Sequence, residues 1–232
     1  ISLFSINAFN VDSAVVINPV TFSPASNADP GATIVGTVSL TNTDPANSVT
    51  ISLSSTPLIR TGGTEQITAP SISSVILAPS ITCGPTTVAC PTFTITIPAK
   101  PAGTYTGTIT ASGTGFTSVQ QSYSATINSK AILNLSPSDK LTITSQPDKS
   151  RSKTFTVKND GSVPLTPTVN IAGNFTDNDN DQITFPGFPL TLSAAIAPGA
   201  SEVTITVTAS LPNDIDLKRY TGTITITTDP AL

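Results

Sequence analysis

Hydrophobic and polar residues alternate with a period of two through much of the chain. In Thr92-Phe93-Thr94-Ile95-Thr96-Ile97 the alternation puts Phe93, Ile95 and Ile97 on one side and threonines on the other. Glu202-Val203-Thr204-Ile205-Thr206-Val207 repeats the pattern. A strand with one face in a core and one in water has this period, and no stripe of helical spacing is sustained over helical length. Turn signals lie between the alternating runs: Thr43-Asp44-Pro45, Pro101-Ala102-Gly103 and Asn159-Asp160-Gly161. Many short strands separated by regular turns predict an all-β sandwich or barrel.

The pattern occurs twice. Tyr105-Thr-Gly-Thr-Ile-Thr110 recurs letter for letter as Tyr220-Thr-Gly-Thr-Ile-Thr225. Upstream, GTVSLTNTDPANSVTISLS (36–54) matches TFTVKNDGSVPLTPTVNIA (154–172), with Asn42 aligned to Asn159. Further upstream, Ala14-Val-Val-Ile-Asn18 matches Ala131-Ile-Leu-Asn134. A repeat of this length is domain-sized, so the pattern predicts tandem duplication of a small sandwich. The expected organisation is an N-terminal extension over 1–13, one sandwich over 14–130 and a second over 131–232, joined near Ser129-Lys130.

The segments PGATIVGTVSLTNTD, RSKTFTVKNDGSVPL and PAGTYTGTITASG resemble the immunoglobulin-like repeats of secreted archaeal and bacterial surface proteins. The resemblance spans both copies. It implies two tandem Ig-like antiparallel β-sandwiches at a cell surface, in S-layers, pili or secreted enzymes, and it implies no particular activity.

The two copies differ at their ends. The first continues past its YTGTIT strand through a turn into Phe116–Asn128, a further strand expected to complete its sandwich. The second, aligned on YTGTIT, lacks that last strand, so the strand bearing Tyr220, Gly222, Ile224 and Ile226 is expected to be an open acceptor edge. Residues 1–13 are apolar, strand-like and free of Gly and Pro, and SLFSINAFN resembles QSYSATIN of the first copy's last strand. An unpaired edge and a free apolar strand are both unfavourable in water, and β-strand addition between molecules satisfies both. Donor and acceptor patches differ, so such a contact is heterologous and makes a fibre when it does not close. This resembles donor-strand complementation in pilus-type filaments, archaeal threads and bacterial chaperone–usher pili among them. The donor residues are Ile1, Leu3, Phe4, Ile6, Ala8 and Phe9, with Phe4, Ile6 and Ala8 expected to face inward. Burying side chains such as Phe4 and Ile6 contributes roughly 1.5–3 kcal/mol each. About eight backbone hydrogen bonds add ~0.5–1.5 kcal/mol each, less the entropy of ordering the strand. Three other fates remain open: residues 1–13 add a strand to the first copy, they fray, or the chain is a fragment whose last strand lies elsewhere.

Composition narrows the function. Hydrophobic residues are 38% and charged residues 10%, with a net charge of −4. Mean hydropathy is +0.17 and the isoelectric point about 4.5. Serine and threonine supply more than a quarter of the residues, and threonine suits a pleated surface. With no histidine there is no Ser-His-Asp triad and no imidazole metal ligand. Ten Lys and Arg in all offer no clustered phosphate footprint, which excludes nucleic acid as a partner. No apolar run is long enough to span a membrane as a helix. Absent Trp and three Tyr leave few platforms for stacking bases or sugars. Ile1 as first residue, without a signal peptide, predicts a mature processed chain. Cys83 and Cys90 in CGPTTVAC are read as a disulfide in an oxidising, extracellular setting, two free buried thiols being the alternative.

Other constellations have a chemical and a plain reading. Asp177, Asp179 and Asp181 have ligand-like spacing for Ca²⁺, but Gln182 and Phe188 break an EF-hand pattern, and a solvated acidic turn is as good a reading. Calcium there is the one cofactor left open. Asn134-Leu-Ser136 and Asn174-Phe-Thr176 are glycosylation sequons, with Pro137 weakening the first. Lys153 and Lys158 are the lysines placed for an isopeptide crosslink, although a solvated lysine is the simpler reading. Glu65 and Glu202 are distant in sequence and come with no aromatic sugar platform, so they are not read as a glycosidase pair. Tyr105 and Tyr220 are expected to be structural, as corner tyrosines are in Ig-like folds.

The expected function is that of a non-enzymatic structural subunit of an extracellular filament, polymerising head to tail. Its partners would be further copies of itself, then a cell surface or other filaments. The alternatives are an S-layer or adhesin module and a carbohydrate-binding accessory domain.

Overall fold

The computed structural model describes residues 15–138, 141–143, 149–171, 175–176, 182–183, 185, 190–211, 220 and 222–231. Every regular element among them is a β-strand. The fold is all-β, two tandem units of packed, mostly antiparallel sheets. Among the described residues, one compact unit takes 15–97 and Gly103–Ile127; the other takes Pro98–Ala102 and 128–231.

In the first unit the chain passes through β1 (Val15–Ile17), β2 (Thr21–Ser23), β3 (Asn27–Ala28), β4 (Thr33–Thr37), β5 (Leu40–Asn42) and β6 (Val49–Ser55). It continues through β7 (Leu58–Arg60), β8 (Gln66–Ile67), β9 (Val75–Leu77), β10 (Thr92–Thr96), β11 (Gly103–Ser112) and β12 (Val119–Ile127). One sheet runs β10-β4-β2, with β5 following β4 along the chain and pairing with β1. The other runs β3-β12-β11-β6-β9, and β7 pairs with both β11 and β8. Pairing is antiparallel except for the short join of β3 to β12, where Thr126 faces Asn27 in parallel.

The period-2 pattern decides which side chains meet between the sheets. Phe93, Ile95 and Ile97 are all buried, as are Ile34, Leu40, Ile51, Leu58, Leu77, Tyr105 and Ile109. The intervening threonines Thr92, Thr94 and Thr96 face water. An aromatic row crosses this core: Phe22, Phe93 and Tyr123 meet edge-on, with centroids 5.9 and 5.5 Å apart. Two of these rings lie over a glycine directly opposite in the ladder. Phe93 faces Gly36 and Tyr123 faces Gly107. A Cβ at Gly36 would collide with the Phe93 ring, and one at Gly107 would sit 2.8 Å from Tyr123 Cε1. Glycine within a strand is here the bare floor that lets a ring lie flat on the neighbouring backbone.

The second unit contains β13 (Leu133–Ser136), β14 (Ser150–Asn159), β15 (Thr166–Ile171), β16 (Phe175–Thr176), β17 (Gln182–Ile183), β18 (Leu190–Thr191), β19 (Val203–Ser210) and β20 (Ile224–Asp229). Its sheets run β13-β14-β19 and β18-β15-β20, with β16 and β17 as a separate pair. Phe155, Val157, Val169, Ile171, Ile196, Ile205 and Val207 form its core.

Corresponding strands pair in both units with similar registers. Val15 faces Asn42 in the first unit and Leu133 faces Asn159 in the second. Leu58 faces Ile67, and Phe175 faces Ile183. Ile109 faces Ser55, and Ile224 faces Ile171. The duplication seen in the sequence is therefore also a duplication of strand pairing, with shifts of a residue or two between the copies.

Candidate strand-acceptor edge

The first hexapeptide lies wholly within β11, whereas the second leads into β20, which takes only its Ile224 and Thr225, and the surroundings of the two strands differ. β11 is bonded on both sides. β6 and β7 lie on one side, and β12 pairs with it on the other in an unbroken ladder from Gly103↔Ile127 to Ala111↔Val119. Tyr123, Ala125 and Ile127 of β12 point inward and are buried. Under this cover Tyr105, Ile109 and Ala111 of β11 lose all contact with solvent. Tyr123 also donates from its hydroxyl to the Thr56 carbonyl, at 3.0 Å. Burial pushes the Tyr123 phenol pKa up, against a smaller opposing effect of a hydrogen bond with Ser55. Burial likewise raises that of Tyr105, which Arg60 partly opposes.

β20 pairs with β15 from Ile171↔Ile224 to Thr166↔Asp229, matching the pairing of β11 with β6. Among the described residues, no strand occupies its other side. Ile224 and Ile226 are only half-buried, whereas Ile109, the counterpart of Ile224, is fully buried. Thr225, Thr227 and Asp229 on the opposite face are exposed. Tyr220 is half-buried, whereas Tyr105 is fully covered. Of the predicted acceptor residues, Ile224 and Ile226 lie in β20 on an apolar face that is only partly covered, whereas Tyr220 and Gly222 precede β20 and lie in no described strand, so the expected single acceptor strand is shorter than its sequence pattern. Gly222 has a ring above it as Gly107 does. A Cβ there would collide with Phe175, whose ring packs against Phe185 at a centroid distance of 4.5 Å. Sequence reasoning did not anticipate this aromatic placement. Its only trace in the sequence is the glycine inside each YTGTIT.

Among the other predicted sites, the cysteines are bonded: Cys83 and Cys90 form a disulfide, with Cα atoms 4.9 Å apart. Cys83 also holds the loop to β5, its amide donating to the Leu40 carbonyl at 2.9 Å. Asn134 is exposed on β13, and its side-chain amide donates to Asp160 Oδ2 at 3.0 Å. Lys158 pairs with the same carboxylate at 2.7 Å, at the surface, and Lys153 is exposed. Neither lysine is in the buried setting that an isopeptide bond requires. Glu65 pairs with Arg60 at 3.6 Å in the β7–β8 hairpin, and Glu202 is exposed. The donor residues Ile1, Leu3, Phe4, Ile6, Ala8 and Phe9 lie outside the described residues, as do Asn174, Asp177, Asp179 and Asp181. Among the described residues no group of three or more acidic or cysteine side chains is placed to hold a metal ion. No helix among them is long and apolar enough to cross a membrane.

No protein-family model matches the chain, and no curated protein sequence matches it. Solved structures show limited similarity to it. A chaperone–tip adhesion subunit pre-assembly complex from the archaic chaperone-usher Csu pili of Acinetobacter baumannii is similar at TM-score 0.44 and 10% identity, over 91% of this chain and 92% of that one. Red sea bream transglutaminase is similar at TM-score 0.34 and 9% identity, over 93% of this chain and 31% of that one. The periplasmic chaperone SfaE is similar at TM-score 0.31 and 12% identity, over 81% of this chain and 89% of that one. Identities this low say nothing about activity.

Proposed function

We propose that the chain is a structural subunit of an extracellular filament. Residues 1–13 of one copy add to β20 of the next and complete its second sandwich, head to tail. The observation that carries this reading is the contrast between two copies of one strand. β11 has β12 beside it and a fully buried inward face. β20 begins at the end of the second hexapeptide and has the matching partner on one side, but half-buried isoleucines and, among the described residues, no strand on the other. A strand whose inward residues alternate as those of β12 do could pair along that edge and bury more of the apolar face leading into β20. SLFSINAFN has that alternation. The disulfide supports an oxidising location outside the cytoplasm.

The test is negative-stain electron microscopy of the full chain beside a version lacking residues 1–12. Filaments from the first and discrete particles from the second are expected. Monomers from both would overturn the reading and leave a spacer or surface module.

A further inference from the structure

We propose that Gly222 marks an aromatic subsite of the β20 groove, filled in the free chain by its own Phe175 and taken over on assembly by Phe4 of the incoming strand. This rests on the reading of residues 1–13 as the donor.

The first unit shows the rule. Both of its strand glycines that lie under rings, Gly36 and Gly107, are covered by the aromatic residue directly across the ladder, Phe93 and Tyr123. Gly222 is the counterpart of Gly107 within the repeated hexapeptide. The ring over it comes from elsewhere. Phe175 belongs to β16, whose described pairing is with β17. In the first unit the residue at that ladder position is Leu58, which is fully buried in the core and leaves Gly107 to Tyr123. A side chain whose counterpart is a core leucine therefore stands in for the missing cross-strand aromatic.

The first unit also supplies the register. Its ladder sets Gly107 opposite Tyr123 and Tyr105 opposite Ala125. Laying SLFSINAFN on QSYSATIN puts Phe4 in the place of Tyr123, Ile6 in that of Ala125 and Ala8 in that of Ile127. Phe4 then faces Gly222 and Ile6 faces Tyr220, while Ser2 faces Ile224 and no residue of 1–13 lies opposite Ile226. A slip of one residue turns every inward side chain outward, and a slip of two puts Ser2 or Ile6 over the glycine floor. The subsite thus selects one register, and Phe175 keeps it filled until the right ring arrives. Phe185 gives the displaced ring an apolar neighbour.

The chain has no tryptophan, so Phe175→Trp in the full chain introduces a single indole reporter at the subsite. The probe is a fluorescently labelled synthetic peptide of residues 1–13, added below the concentration at which the chain assembles. Peptide anisotropy reports binding and indole emission reports displacement. The native peptide should bind and shift the emission to the red. A Phe4→Ala peptide should bind about tenfold more weakly or worse and leave the emission unmoved, while an Asn7→Ala peptide, altered in the outward place of Thr126, should behave like the native one. Binding without an emission change, or equal binding by the Phe4→Ala peptide, would overturn the subsite while leaving strand donation intact. No binding by the native peptide would overturn both. Phe175→Leu, which copies Leu58, provides a second measurement: the native peptide should associate several-fold faster with it, and an unchanged or slower rate would count against the placeholder.

Discussion

Asn159 occupies in the second sandwich the place that Asn42 occupies in the first. Both are fully buried at the end of a strand that pairs with the first strand of their unit. The Asn42 side-chain amide donates to the carbonyls of Asn47 and Ala78, each at 2.9 Å, and its oxygen accepts from the Asp44 amide at 3.0 Å. The Asn159 amide donates to Val163 and Ile196 at 2.7 and 2.8 Å, and its oxygen accepts from Gly161 at 2.9 Å. Each asparagine closes its own turn and ties it to a second segment far along the chain.

Replacing either asparagine should therefore strand buried carbonyls and an amide. Asn42→Ala and Asn159→Ala are each expected to cost about 1–3 kcal/mol. Chemical denaturation of the two variants beside the parent chain measures this. Losses well under 1 kcal/mol would mean that water replaces the side chains at little cost.

The surface cluster on β13 and β14 should make stability depend on acid. Hydrogen bonds from Lys158 and Asn134 hold the Asp160 carboxyl below its ordinary value. A carboxylate with a depressed folded-state pKa contributes stability above its unfolded pKa, near 4, and loses that contribution as pH falls through the folded value. Denaturant midpoints should therefore drop between pH 5 and pH 3, and Asp160→Asn should flatten the drop. Asp44 is lowered in the same sense by bonds from the Ala46 amide and the Asn47 side chain and amide, so part of the slope should survive in that variant.

Reduction should weaken the first sandwich. The Cys83–Cys90 bond closes a short loop whose first residue is hydrogen-bonded to β5. On the loop-entropy model a ring of this size contributes about 2–3 kcal/mol. The melting temperature of the chain should fall on adding reductant, and a Cys83→Ser, Cys90→Ser double variant should match the reduced protein and ignore the reductant. A melting curve unmoved by reductant would place the bond outside the cooperative unit.

Much of this was legible in the residues alone. Strict alternation in segments such as 92–97 dictates strands with one buried face, because side chains of a pleated strand point to opposite sides in turn. The repeated hexapeptide identified β11 and β20 as equivalent, and the sparse charge and abundant Ser and Thr favoured a bond between Cys83 and Cys90 over two free thiols. Asn159 was legible only as a turn residue; its complete burial was not. The rest depends on strand order. Tyr123 reaches the Thr56 carbonyl across a separation of 67 residues because β12 lies beside β11. Phe175 covers Gly222, while its counterpart Leu58 sinks into the core and leaves the equivalent glycine to Tyr123. Periodicity specifies which face of a strand is apolar, since that is a property of neighbouring residues. What covers that face is set by which distant segments the fold brings alongside, and only the tertiary structure decides that.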